Sequence, residues 1–552
     1  CRHLYQVCWR RQEYFQNLIK ARTEGDDMSD LNRRHAIKKT FALGLGAGAL
    51  ASIAPRSSSK NFDRQAKALS KNQLTSFDVL IVGAGNAGMP AAIQAADLGA
   101  RVLLIDKNPF VGGMLNISGG HISAANSKLQ ISKGISDSPD AHYRDAMRMG
   151  RYLNNSELLK IATDNAASMV DWLAEIGVEF TAESPFFEDD HEHYSSPRTY
   201  MGPDYGRSLL EPLKSELEKR INRGDIELRL NTEAINLITD NAGSVAGVAL
   251  KDASGVQREL MAKTVILTTG GYGASDSLKS KYNPKSLKSK VICLPHASGD
   301  GIIMAERVGA ELINMNHFVS FPGAIDGASG RLEYPPKHFP SGIWVNREGN
   351  RFVNEHTDNP DMRERAFLRQ EELGFFVILN ERSMKTKEIG IKGWDRNHLR
   401  QHTLSGLIKK ADSIMSLAKK IGIPPTNLTK TVDQFNRSVK HGRDDQFNRE
   451  QLDEPLENGP YYSIPITGSI LITHGGIKVN HAMQVLQASG KVIDGLYAAG
   501  ETLGLAQMMG TAVLSGMSVG PAITLGRQVA RNACQYANLV GQSAVDCSIQ
   551  KT

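Results

Sequence analysis

Apolar positions fall in two patterns along the chain. Short unbroken runs close on glycine: "DVLIVGAG" (78–85), "RVLLID" (101–106), "KTVILTTGGYG" (263–273) and "GLYAAGE" (495–501). Runs of this length, punctuated by glycine, predict strands buried on both faces of a parallel sheet. Between the first two lies "GMPAAIQAADLG", a helix of small residues, so the segment predicts a βαβ unit. Helical spacing appears from Ser156 (Leu158, Leu159, Ile161, Ala162, Met169, Val170, Leu173), in "GRSLLEPLKSELEKRI" and in the closing "GPAITLGRQVARNA". "IELRLNTEAINLITDNAGSVAGVAL" predicts strands with an Asn-Ala-Gly turn. The pattern is mixed from about His317 to Gly459, after which strands and a glycine-ended run return. This order predicts an α/β fold, a Rossmann-like nucleotide-binding domain interrupted by an α+β capping domain.

Composition narrows this reading only slightly. The chain has 552 residues, 41% hydrophobic and 22% charged, ordinary for a soluble globular protein of about three domains. Of the net +6, +4 comes from the first 54 residues, so the basic balance says little about nucleic acid, and no nucleic-acid partner is expected. That N-terminal charge has another meaning. Arg33, Arg34, Lys38 and Lys39 precede an apolar segment from Phe41 to Ala54, which is shorter than the ~20 residues a stable membrane span needs. The segment resembles a twin-arginine export signal, with Met28 as a natural start, and predicts a periplasmic or otherwise exported protein. The expected division is an extension and signal at 1–54, a linker at 55–76, the nucleotide-binding domain at 77–316 and 459–540, the cap at 317–458 and a tail at 541–552. Past the leader only Cys293, Cys534 and Cys547 occur, without CxxC or CxxCH, which argues against a redox dithiol, a zinc ribbon or an attached c-type haem. "EDDHEHY" lacks metal-ligand spacing, and "SPRTYMG" after it predicts a loop; no metal site is expected.

Gly83-Ala84-Gly85-Asn86-Ala87-Gly88 is GxGxxG, placed after a strand and opening a helix, with Asp106 ending the next strand. Gly83 permits the tight turn, Gly85 lets backbone approach a pyrophosphate at the helix N-terminus, and Gly88 lets helix and strand pack closely. Asp106, followed by Lys107, suits ribose hydroxyls. NAD and FAD share this fingerprint. "VGGMLNISGGHISAA", "TTGGYG" and "GLYAAGE", with "SGDGIIMA", "GIWVNREGNRFVNE" and "THGGIKVN" in order from Phe77 to Ala533, decide between them. In these motifs the chain resembles the fumarate reductase/succinate dehydrogenase flavoprotein family, which includes the 3-ketosteroid dehydrogenases.

The resemblance implies FAD. Covalently flavinylated members carry their linking His where this chain has Gly113, so the FAD is expected to be noncovalent. It further implies that Ala234 meets the adenine, that Gly112, Gly113, Ser118, Gly119 and Gly120 line the flavin with Thr269 and Gly270, and that Asp300 and Glu501 hold the ribityl and diphosphate region. The helix beginning around Gly516, Met517, Ser518 and Val519 would point its N-terminus at flavin N1 and O2.

The family exchanges a hydride between flavin N5 and the carbon β to a carbonyl, while a protein acid handles the α-carbon proton. Fumarate-reducing members clamp two carboxylates with His, Thr-Glu and Arg side chains, and one Arg donates the proton. Those positions fall here on Phe321, Asn359, Ile472 and Thr511, with the Thr-Glu pair near Tyr334-Pro335. In their place stands the apolar stretch "AQMMGTAVLSGM", which suits a flat ligand such as a steroid-like enone. The Tyr of the ketosteroid dehydrogenases is absent too, with Ala512 and Val513 in its region. Candidate proton donors are His474, Arg363, Arg365, His121 and Tyr272. Alternatives are a reductase of a small unsaturated acid and a flavin electron-transfer subunit without its own substrate. With one dinucleotide fingerprint, electrons are expected from a separate donor or acceptor, a quinone-linked or haem protein.

Overall fold

The computed structural model describes residues 77–539 except 189–190, 333–341, 358 and 386–389. The expected leader, linker and tail, and the Tyr334-Pro335 position, lie outside the described residues. The predicted glycine-ended runs are strands of one sheet. Its order is Gln484–Leu486, Val492–Ala498, Gln257–Leu267, Phe77–Val82, Val102–Ile105 and Ile226–Arg229. The five from Val492–Ala498 onward pair in parallel. Val79, Leu80, Ile81, Val102, Leu103, Leu104, Val265 and Ile266 are all fully buried, as unbroken apolar runs require when both faces are covered.

Helix α1 (Gly88–Asp97) fills the first crossover. Its small residues allow close approach to the last helix, which crosses it where a Cβ on Gly526 would lie 2.4 Å from the Ala87 carbonyl. The long helix expected from Ser156 is instead two, Ser156–Asp164 and Ala166–Glu175, broken at Asn165, and its cap is Asn155, whose side chain accepts from the Leu158 N–H. "SPRTYMG" is not a solvated loop. Thr199–Tyr200 pairs with Ile122–Ser123, and Arg198 is fully buried between Asp137 and Asp145.

The mixed central segment builds a second sheet, ordered Ile343–Val345, Gly374–Asn380, Tyr461–Ile470, Phe321–Ile325, Arg331–Leu332 and Ile391–Lys392 and wholly antiparallel along that path. Its own core contains Trp344, Phe367 and Phe375. Tyr461–Ile470 is the central strand of this sheet and pairs with Lys290–Val291. The sheet therefore takes strands from both sides of the 317–458 boundaries expected from sequence. Helix α2 (Pro360–Leu368) lies against it through Phe367 and starts at Asn359. Among the described residues no helix is long and apolar enough to cross a membrane.

Candidate active site

The parallel strands end on turns that leave no room for side chains. Gly83 has φ +105°, and a Cβ there would sit 2.4 Å from the Thr268 carbonyl oxygen. At Gly88 a Cβ would stand 1.8 Å from the Gly83 oxygen, so helix and strand meet at backbone contact. Gly85 differs. The nearest atom to its Cβ position is Gly113 Cα at 3.9 Å, which leaves a path between the two glycine turns. The Gly112 N–H donates to the Ala84 carbonyl at 2.8 Å and fixes their spacing. Helix α1 has Ala87 as its cap, without a side-chain acceptor, and the Asn86 Oδ1 beside it is buried with no partner.

At one end of this path stands Asp106. It accepts from the Ala84 N–H (2.8 Å) and from Asn108 through both its N–H (2.8 Å) and Nδ2 (2.9 Å). Burial nevertheless pushes its carboxyl above the usual range. A carboxylate has about four acceptor positions, so Asp106 retains capacity for a ribose. Asn108 Oδ1 is a second buried atom with no partner, and Asn108 was not foreseen as a site residue. Lys107 turns to Asp300 and Ser298, both at 2.5 Å, which places Asp300 at the Asp106 end of the cradle. Ala234 is the second residue of the strand Glu233–Thr239, which follows Thr232, whose N–H donates to the Asp106 carbonyl.

Glu501 marks the other end. Its Oε1 accepts from the Thr473 N–H (2.8 Å) and Oγ1 (3.0 Å), and burial pushes its carboxyl up to about 7 against those two bonds. Gly271 must be glycine, since a Cβ would lie 2.1 Å from Thr473 Oγ1. Gly270, with φ +75°, has open space where its Cβ would point, and Thr269 contacts Thr502 beside it. Across from these, the Gly120 N–H donates to Ser118 Oγ (2.9 Å), and Gly120 packs on the Gly206 backbone. Gly516 packs on Ile122 and Ser123, and Ser123 Oγ donates to the Met517 sulfur (3.3 Å). Ser518 then begins helix α3 (Val519–Tyr536), again without a side-chain cap. The predicted cofactor residues thus converge on one cradle. Two buried acceptors without partners, glycine turns with open faces and two uncapped helix starts fit a bound FAD.

The proposed donors separate. His474 is 1% exposed, and burial followed by His317 pushes its imidazole down to about 3, so it is neutral at pH 7; its Nε2 has no partner. Tyr272 is buried and pushed up to about 12, with its hydroxyl toward the Met315 carbonyl at 3.4 Å. Arg363 donates to the Thr357 carbonyl. Arg365 pairs with Asp361 at 3.3 Å. His121 Nε2 stands 3.4 Å from Glu188 Oε2. Two acids on α2 escaped the sequence reading: burial pushes Asp361 up to about 6 and Glu364 up to about 8.

The residues at the expected clamp positions are half-buried Phe321, Asn359 and Thr511, and buried Ile472. Asn359 Nδ2 donates to Glu192 at 3.2 Å, and its Oδ1 is buried without a partner. The methionines are mostly packed inside, and Met508 lines a small pocket with Gly504, Leu505 and Ser518. Met508, Met509 and Met517 belong to the main core, and the Leu514 N–H donates to the Met509 sulfur at 3.3 Å. A surface groove of about 520 Å³, lined by Leu129, Val170 and Phe180 among others, has none of these residues in its wall.

A doubly covered parallel sheet with this cradle defines a dinucleotide-binding flavoprotein. Residues 78–519 match the family model described as FAD binding domain, and the chain belongs to that family. It is an FAD-dependent oxidoreductase of the class acting on CH–CH groups. A fumarate reductase (cytochrome) of Shewanella frigidimarina is 32% identical over 481 residues, covering 86% of this chain and 80% of that one. A urocanate reductase of Eggerthella lenta is 31% identical, with 84% and 75% covered. The 3-ketosteroid delta1-dehydrogenase of Sterolibacterium denitrificans, solved in complex with 1,4-androstadiene-3,17-dione, shares the fold at TM-score 0.70 and 21% identity, with 83% and 99% covered.

Proposed function

We propose that this protein exchanges a hydride between FAD and a C=C conjugated to a carbonyl in an apolar, steroid-like or aryl enone. The observation that carries this reading is the set Phe321, Asn359, Ile472 and Thr511, which stands where fumarate-reducing members hold carboxylates. The nearest replacements, Arg363 and Arg365, are engaged by Thr357 and Asp361. Two carboxylates taken out of water there without a clamp would each cost on the order of several kcal/mol, whereas one carbonyl needs a single donor. FAD supplies the hydride. The chain orients it through Glu501 and Thr473 at one end and Asp106 at the other, and the cap sheet excludes water. Electrons come from a separate partner, and the Arg33-Arg34 leader sends the protein out of the cytoplasm.

A second reading is a reductase of a small unsaturated carboxylic acid. It is favoured by the fumarate and urocanate reductases that align over most of the chain, and it requires Arg363 or Arg365 to leave its present partner. Steady-state turnover with reduced methyl viologen as electron donor separates the two. We expect a 3-keto-4-ene steroid or a cinnamoyl ketone to exceed fumarate and urocanate by about tenfold or more in kcat/KM. Faster turnover of either acid replaces the first reading with the second.

A further inference from the structure

His121 and Glu188 are far apart in sequence, yet two short backbone pairings bring them together. Ile122–Ser123 pairs with Thr199–Tyr200, and Thr199 exchanges backbone hydrogen bonds with Phe186 (2.9 and 3.2 Å). His121 therefore precedes one strand of this small assembly and Glu188 follows another. The assembly is anchored from behind by Arg198, fully buried against Asp137 (2.6 Å) and Asp145, and by Tyr194, whose hydroxyl donates to the Ser515 carbonyl at 2.7 Å. In front, a Cβ on Gly119 would lie 3.6 Å from His121 Cε1, and Gly516 near the start of α3 packs on Ile122. The imidazole thus stands beside two segments of the flavin cradle, its edge against Phe186 and its Nε2 in ion-pair reach of Glu188. The side chains are 23% and 10% exposed, sheltered but still reached by water.

We propose that His121 is the proton donor of the reaction and that Glu188 is its positioning partner. This rests on the functional reading above. Glu188 draws the Nε2 proton and fixes the ring, so that Nδ1, turned away from it, faces the substrate. As the hydride reaches the β-carbon, the Nδ1–H bond breaks and a C–H bond forms at the α-carbon. Nδ1 then regains a proton from water, which reaches the partly exposed side chain, while Glu188 keeps the Nε2 hydrogen in place. The other four candidates suit the role poorly. Arg363 is committed to a backbone carbonyl and Arg365 to Asp361, the Tyr272 hydroxyl points at Met315, and His474 is sealed in the core.

The test uses full-length holoprotein carrying H121Q or E188Q. FAD content and the visible flavin spectrum report whether each variant keeps its fold. Two further readouts are viologen-driven turnover and, with oxidised enzyme in D2O, exchange of the α-hydrogen of a saturated ketone followed by proton NMR, which needs no hydride transfer. H121Q is expected to keep its flavin and lose both by about a hundredfold, in kcat rather than KM; E188Q should lose about tenfold in both. An active wild type whose two variants turn over and exchange at its own rate overturns this proposal alone. A wild type that neither turns over nor exchanges any conjugated carbonyl overturns the functional reading and this proposal together.

Discussion

The turn at Gly83–Gly88 and the cap face at Asn359 are built by different means. The first is made of backbone. Its specificity lies in the absence of side chains, and any Cβ at Gly83 or Gly88 collides with a carbonyl. The second is made of side chains at the start of α2, a helix packed on a separate antiparallel sheet, and its neighbours are other side chains such as Glu192. A backbone cradle tolerates almost no change, because a Cβ at its closest contacts meets main-chain atoms. A side-chain surface on an independent core can change its chemistry without disturbing the fold. The molecule therefore keeps its cofactor and is free to change its substrate.

The harshest way to break this contrast is Gly88→Val. The branched side chain would enter the 1.8 Å gap to the Gly83 oxygen, and the expected result is about tenfold less FAD per purified chain, read at 450 nm. The opposite experiment rebuilds the clamp with N359R, I472H and T511R together. The cradle should be indifferent, with FAD content unchanged, while fumarate turnover rises by about 10- to 100-fold.

Glu501 sharpens the comparison because it belongs to the cradle and yet titrates. Its carboxyl rises in the fold from 4.5 to about 7. The stability associated with the protonated acid is therefore fully present below about pH 4.5 and is lost as the pH climbs through about 7, on the order of 2–3 kcal/mol in the FAD-free protein. E501Q removes that loss. Its apoprotein should melt like wild type at pH 4 and higher than wild type at pH 8, by differential scanning calorimetry. The smallest effect is expected at Tyr194→Phe, which deletes the hydrogen bond to the Ser515 carbonyl. Urea denaturation should show a loss of about 1 kcal/mol, with FAD content unchanged.

The same contrast governs what was legible in the sequence. The βαβ unit, the parallel strands and the glycine turns follow from local rules of apolar runs and chain reversal, and all appear where expected. Asp106 was singled out by its offset from the first glycine turn, and Glu501 by the resemblance of "GLYAAGE" to a family motif. Asn108 was missed, since nothing in "DKNPF" signals that its side chain will be buried beside Asp106 with an unused oxygen. Arg198 read as part of a loop because its partners, Asp137 and Asp145, lie more than fifty residues away. Within the methionine run read as a pocket wall, Met509 and Met517 accept hydrogen bonds through sulfur in the main core and Met508 lines a small pocket, a division that composition does not carry. Tyr461–Ile470 belongs to the cap sheet for the same reason, since its partners at Gly374–Asn380 and Phe321–Ile325 are set by tertiary pairing.

The central claim is that an intact FAD cradle serves a site without a dicarboxylate clamp. A single-turnover experiment tests it most directly. The holoprotein is photoreduced without oxygen and mixed in a stopped-flow cell with fumarate or with a 3-keto-4-ene steroid. The return of flavin absorbance is then followed at 450 nm. The account predicts rapid reoxidation by the steroid and a fumarate trace no faster than buffer alone. Rapid reoxidation by fumarate would contradict it.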